Sequence, residues 1–232
     1  MIWITGDKHC DFSSVEAFCK KWKTSRDDTL IILGDAGINY YTDERATQLK
    51  AFLATLPITL FCIHGNHEAR PETVQGYELT DCFGGQVYVD PRYPNQHFAV
   101  DGTIYQIGSQ KTLVIGGAYS VDKYLRLVRR WAWFADEQPS EAIKARTEAA
   151  LDAAGWQVDA VLSHTCPKSQ IPIEKVPPLA DYYLPIDDST EQWLETLRQR
   201  LRFCRWYAGH FHIDYLRDNV TFLFDTFTVF DS

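Results

Sequence analysis

The apolar run Ile58-Thr59-Leu60-Phe61-Cys62-Ile63 leads straight into Gly65-Asn66-His67-Glu68, and this junction constrains the fold more than any other stretch. The run is short, β-branched and aromatic, which is the signature of a buried strand. Gly65 breaks it and permits a sharp turn. Asn66 and His67 are therefore presented at the carboxyl end of a strand, the edge at which open α/β sheets bind ligands.

The same device recurs along the chain. Ile2-Trp3-Ile4-Thr5 ends in Gly6-Asp7-Lys8-His9, and Thr29-Leu30-Ile31-Ile32-Leu33 ends in Gly34-Asp35. A later run over residues 158–163 delivers His164, and another over 203–208 delivers Gly209-His210-Phe211-His212. Between the early strands the spacing predicts helices over 13–23, opened by a capping box at Ser13 and Glu16, and over 43–56, stopped by Pro57. This β-α-β-α-β order implies a parallel sheet with right-handed crossovers. Short strands and turns are expected over 86–117, with Asp101-Gly102 as a hairpin turn. Helices over 140–154 and 189–202 follow, with Gly155 closing the first. A proline-rich loop from Pro167 to Pro185 is long enough to be functional, and Asp218-Asn219 marks a closing hairpin.

A chain of 232 residues, 45% hydrophobic and 14% aromatic, can bury a large core and reads as one domain over 1–232. Its formal charge of −8 disfavours a stable nucleic-acid complex but not a phosphorylated substrate, because bound metal can supply positive charge. The six cysteines are scattered without short paired spacings, and reduced thiols are expected. Met1-Ile2-Trp3-Ile4 already reads as strand, and no apolar stretch is long enough to span a bilayer, so a cytoplasmic location is expected.

Five of the seven histidines fall in the strand-end clusters, His64 and His97 being the exceptions. A lone Asp after a strand is usually a turn residue, and a lone His a loop residue. Five such features in order, all at strand ends, instead point to a metal site of imidazole, carboxylate and amide oxygen donors. No thiolate pair offers a structural zinc site.

With Asp7-x-His9, Gly34-Asp35, Gly65-Asn66-His67-Glu68, His164 and Gly209-His210-x-His212 in this order, the chain resembles the calcineurin-like metallophosphoesterase superfamily. The resemblance implies a four-layer α/β/β/α sandwich of two mixed sheets. It also implies two divalent transition-metal ions, with manganese expected and Fe, Zn, Co or Ni accepted by the same donors. Carried over by motif, Asp7, His9, Asp35 and His212 hold one metal; Asp35, Asn66, His164 and His210 hold the other. Asp35 bridges them. Two metals about 3.5–4 Å apart clamp an in-line displacement at phosphorus, and a metal-bound hydroxide is the implied nucleophile. His67 is not a ligand in this pattern; it faces the substrate as proton donor or electrostatic stabiliser.

Departures from the pattern are also visible. Cys10 stands where the family often has Gly, and Ile38 stands where it often has the Asp that orients the catalytic His. Asn39 and Glu68 are the nearest substitutes for that Asp. His64 before Gly65, and Ala36-Gly37-Ile38 after Asp35, differ from the protein Ser/Thr phosphatase branch. Arg70 and Tyr40 are expected substrate contacts. Arg126, Arg129 and Arg130 share a helical face, for which a solvated role is expected over phosphate binding. Trp131, Trp133 and Phe134 are expected in packing. The expected function is hydrolysis of a phosphomonoester or phosphodiester, a small molecule or nucleotide. A nuclease of the same superfamily and a non-catalytic metal-dependent scaffold are the alternatives.

Overall fold

In the computed structural model, which describes residues 1–175 and 185–230, the apolar runs alternate between two cores. β1 (Ile2–Thr5), β2 (Thr29–Ile32) and β3 (Thr59–Cys62) are parallel neighbours. Ile4, Ile31 and Phe61 point to one side, while Trp3, Leu30, Ile32, Leu60 and Cys62 point to the other, as the period of two in a strand requires. The outer set packs on Val15 and Phe18 of α1 (Ser13–Trp22) and Leu53 of α2 (Glu44–Leu53).

The chain continues through β4 (Glu78–Cys82), β5 (Gly85–Val89), β6 (Gln96–Ala99), β7 (Ile104–Ile107) and β8 (Gln110–Ile115). After α3 (Lys123–Arg129) and α4 (Glu141–Ala153) come β9 (Ala160–Ser163), α5 (Ser189–Arg200) and β10 (Arg205–Ala208). β11 (Tyr215–Arg217), β12 (Val220–Phe222) and β13 (Thr228–Val229) finish it. One sheet runs β13-β1-β2-β3-β6-β5-β4, the other β11-β12-β10-β9-β8-β7. Both are mixed. Tyr105, Val114 and Leu162 of the second sheet share the core of Ile4, Ile31 and Phe61. Its other face, Leu113, Ile115, Val161 and Trp206, packs on Leu151 of α4 and on Leu194 and Leu197 of α5. The layers are therefore α/β/β/α.

Several local expectations change. Ser13 begins α1 instead of preceding it, and Phe12 occupies the cap position without a side-chain bond. The capping box cannot form in that register; Asp11 Oδ1 accepts the Ser13 amide at 2.9 Å instead. Asp101-Gly102 joins β6 to β7, which lie in different sheets, so it is a crossover and not a hairpin turn. Asp101 is buried there, accepting the Gly116 amide at 2.7 Å and an Arg70 N–H at 2.5 Å. β4 and β13 are edge strands without a clear apolar alternation. All six cysteines are free, and among the described residues no helix is long and apolar enough to cross a membrane. The expected proline-rich loop contains a short 3-10 turn, Lys168–Gln170, and residues 176–184 of it lie outside the described residues.

The carboxyl ends of β1, β2, β3, β8, β9 and β10 meet at one edge of the sandwich. Gly117 N bonds His64 O across the two sheets at 2.8 Å, and Gly209 N bonds His164 O at 2.9 Å.

Candidate metal centre

The expected ligand residues converge at that edge. Each carboxylate is anchored through one oxygen and presents the other. Asp7 Oδ1 accepts the His210 amide at 3.1 Å, while buried Asp7 Oδ2 accepts no well-formed hydrogen bond and lies 3.3 Å from His212 Nε2 and 3.7 Å from His9 Nε2. Asp35 Oδ1 accepts the His67 amide at 2.8 Å. Its Oδ2 stands 3.6 Å from His164 Nε2 and 3.8 Å from His9 Nδ1. Asp35 thus lies between two sets of imidazoles.

On one side, His9 Nε2 and His212 Nε2 are 2.8 Å apart. On the other, Asn66 Oδ1 is 2.8 Å from His164 Nε2 and 3.1 Å from His210 Nδ1. Donors held about 2.1 Å from one ion stand about 3 Å from each other, so these spacings fit divalent-cation sites. The donor atoms of Asp7, His9 and His212 lie within 4.8 Å of one another, as do those of Asp7, Asp35 and His164.

The backbone is bent to make this possible. Of the ten non-glycine residues with positive φ among the described residues, four are His9, Asp35, His210 and His212. Such conformations cost of order 1–3 kcal/mol each and concentrate at functional sites. Two glycines admit the carboxylates. A Cβ at Gly65 would collide with Asp35 Oδ1 and its amide nitrogen, and one at Gly209 would collide with Asp7 Oδ1.

Electrostatics couple the groups. Burial opposes ionisation of Asp35, but the His164, His67 and His9 rings around it hold its carboxyl well below the usual range. Burial likewise opposes charge on His164, yet Asp35 and Asp7 raise it to about 9. Its Nδ1 faces Leu33 O at 2.7 Å, which leaves Nε2 for the centre. His210, equally buried and next to that charge, is pushed down to about 3.

A chain of hydrogen bonds fixes the Asn66 amide. Asn66 Nδ2 donates to Ser120 Oγ at 2.9 Å, and Ser120 Oγ donates to Glu137 Oε2 at 2.5 Å. Trp133 Nε1 also donates to Glu137 Oε2, at 2.8 Å. With Nδ2 so engaged, Oδ1 must face the two histidines. Ser120 and Glu137 were not legible as site residues, although Ser120 does follow a strand-ending Gly116-Gly117 pair. Trp133 acts as a donor here, beyond the packing expected of it.

Around the opening, His9, Cys10, Gly37, Tyr40, Tyr41, His67 and Arg126 line a cavity of about 160 Å³. Tyr40 is therefore at the site. Arg70 is not; it is buried, and its guanidinium is held by Asp101 and the carbonyls of Asp136 and Gln138, which leaves it in the scaffold. Asn39 and Glu68 do not orient His67. Asn39 Oδ1 accepts from Tyr77, and buried Glu68 accepts the Gly65 amide. Burial and the Asp35 charge raise the Glu68 carboxyl to about 8. His67 Nε2 instead meets Arg126 NH2 at 3.1 Å. Arg126 is not on a solvated face: its side chain is 11% exposed.

The family model described as calcineurin-like phosphoesterase matches residues 1–214. The chain belongs to that family. Calcineurin-like phosphoesterases use divalent metal ions, and the converging donors described above are candidate ligands for them. Membership implies phosphoesterase activity. Among solved structures, TT1561 of Thermus thermophilus is 14% identical, with a TM-score of 0.47 over 90% of this chain and 80% of that one. Another is 11% identical, with a TM-score of 0.48 over 96% of this chain and 88% of that one. A comparison with curated proteins finds no match.

Proposed function

We propose that the chain is a dinuclear metal-dependent hydrolase acting on phosphoesters of small molecules or nucleotides. The observation that carries this reading is the position of Asp35 Oδ2 between His9 Nδ1 and His164 Nε2, at 3.8 and 3.6 Å. One ion would be held by Asp7, His9, Asp35 and His212, the other by Asp35, Asn66, His164 and His210. When bound, the pair supplies Lewis acidity to the phosphoryl oxygens and lowers the pKa of water.

The chain's own residues then position and protonate. His67, with 18% of its side chain exposed, lies on the cavity wall, where it can donate to the leaving oxygen or stabilise charge on the phosphoryl group. Its amide fixes Asp35, so the catalytic ring and the bridging carboxylate are held in one geometry. A cavity of about 160 Å³ supports a small substrate over a polymer. Turnover of 4-nitrophenyl phosphate and bis-(4-nitrophenyl) phosphate should be measured across Mn, Fe, Zn, Co and Ni. Metal-dependent hydrolysis of either ester is expected; no turnover with any metal would remove this reading.

A further inference from the structure

We propose that Arg126 binds a phosphoryl oxygen of the substrate, with His67 as its resting partner in the free protein. This inference rests on the phosphoesterase reading above and adds the residue that holds the substrate's charge. Arg126 lies in α3, outside every motif that delivers the metal-centre residues. Two bonds fix the base of its head. Nε donates to Asp122 Oδ1 at 2.8 Å, one helical turn back, and NH1 donates to Ala132 O at 3.2 Å. The third, from NH2, goes to His67 Nε2 at 3.1 Å. A guanidinium has five N–H donors, so these three bonds leave capacity for another acceptor.

The surroundings favour an anion as that acceptor. Among the described residues the cavity lining contains no carboxylate, and Arg126 is its lysine- or arginine-type cation in a chain of net charge −8. The neutral imidazole nitrogen is a weaker acceptor for a guanidinium than a phosphoryl oxygen, for which charge-assisted, often bidentate bonds form. A phosphoryl group entering between His9 and Arg126 would accept from the unused NH2 hydrogen and, as the stronger acceptor, compete with His67 Nε2 for the other. Binding and release of the catalytic ring would then be one event. Asp122 keeps the head in place while this exchange occurs, so little side-chain entropy is lost on binding.

The test uses the full chain loaded with Mn, as wild type, Arg126→Ala and Arg126→Lys. Elemental analysis gives metal content. KM and kcat for 4-nitrophenyl phosphate are measured, and the dissociation constant of inorganic phosphate is measured by calorimetry. Loss of a charged hydrogen bond predicts KM and phosphate dissociation constants raised about 10- to 100-fold in Arg126→Ala, at unchanged metal content. Arg126→Lys keeps the charge but not the fork, and should fall between. Unchanged phosphate affinity in either variant that folds and holds metal would overturn the assignment. So would a fall confined to kcat, which would make Arg126 a positioning residue for His67. Absence of turnover by the wild type would strike the phosphoesterase reading instead, and the phosphate titrations would still judge Arg126.

Discussion

His164 is wholly buried, whereas His212 keeps 49% and His9 35% of its side-chain exposure. The two sides of the centre therefore use similar donors in different settings. On the buried side, two donors are braced from behind: His164 by Leu33 O, Asn66 by Ser120 and through it Glu137. On the open side, the Phe224 ring stacks on His212 at 4.7 Å, and His9 projects beside the cavity. Outer partners of metal ligands are worth about 10- to 100-fold in affinity. If two ions bind as proposed, the contrast predicts a tight, preorganised site next to a weaker, exchangeable one beside the cavity.

Asp35→Asn should erase the contrast altogether. Both sites lose a donor charge, so metal content should fall below about one equivalent per chain, and turnover should fall further than for any other substitution here. Retention of full metal content would deny Asp35 its shared position. His67→Asn should spare metal on both sides and lower turnover by about two to four powers of ten. The loss should be smaller with nitrophenolate as leaving group if His67 donates a proton. If the substitution strips metal, His67 is itself a ligand.

Glu137→Gln probes the buried side alone. It places an amide where Ser120 and Trp133 both donate, and should weaken metal binding there about 10- to 100-fold while sparing the open site. Equal weakening of both sites, read by titrating metal into the variant, would show that the brace is not specific. A further effect on the buried side is that of pH. In metal-free protein His164 is raised to about 9. A raised folded-state pKa stabilises the metal-free fold fully below about 6.5, and that stability is lost as pH rises through about 9. Metal must displace this proton, so affinity on the buried side should rise about tenfold per pH unit towards pH 9. Isothermal titrations in buffers of different ionisation enthalpy would count the proton released.

How much of this the chain discloses depends on range. Asp7, His9, Asp35, Asn66, His164, His210 and His212 were legible because each follows an apolar run, and a strand end is a local feature. The layer order came only with the family resemblance: Leu30-Ile31-Ile32-Leu33 is apolar throughout, and its division between two cores shows only in the fold. Arg126, Ser120 and Glu137 act on Asn66 and His67 from 54 or more residues away or through a loop, and no periodicity encodes such a contact. Asp101-Gly102 misleads for the same reason: a local turn signal cannot report that its flanking strands join different sheets. Arg70, four residues after Asn66, is close in sequence yet drawn inward by Asp101.

A titration of metal-free protein with Mn, run on wild type and His212→Ala at neutral pH, reads whether the two proposed sites exist and are unequal. Two equivalents should bind to wild type, the first at least about tenfold tighter, and His212→Ala should lose only the weaker one. Saturation of the wild type at a single equivalent would exclude the second site, and loss of the tighter equivalent in His212→Ala would place His212 on the wrong one.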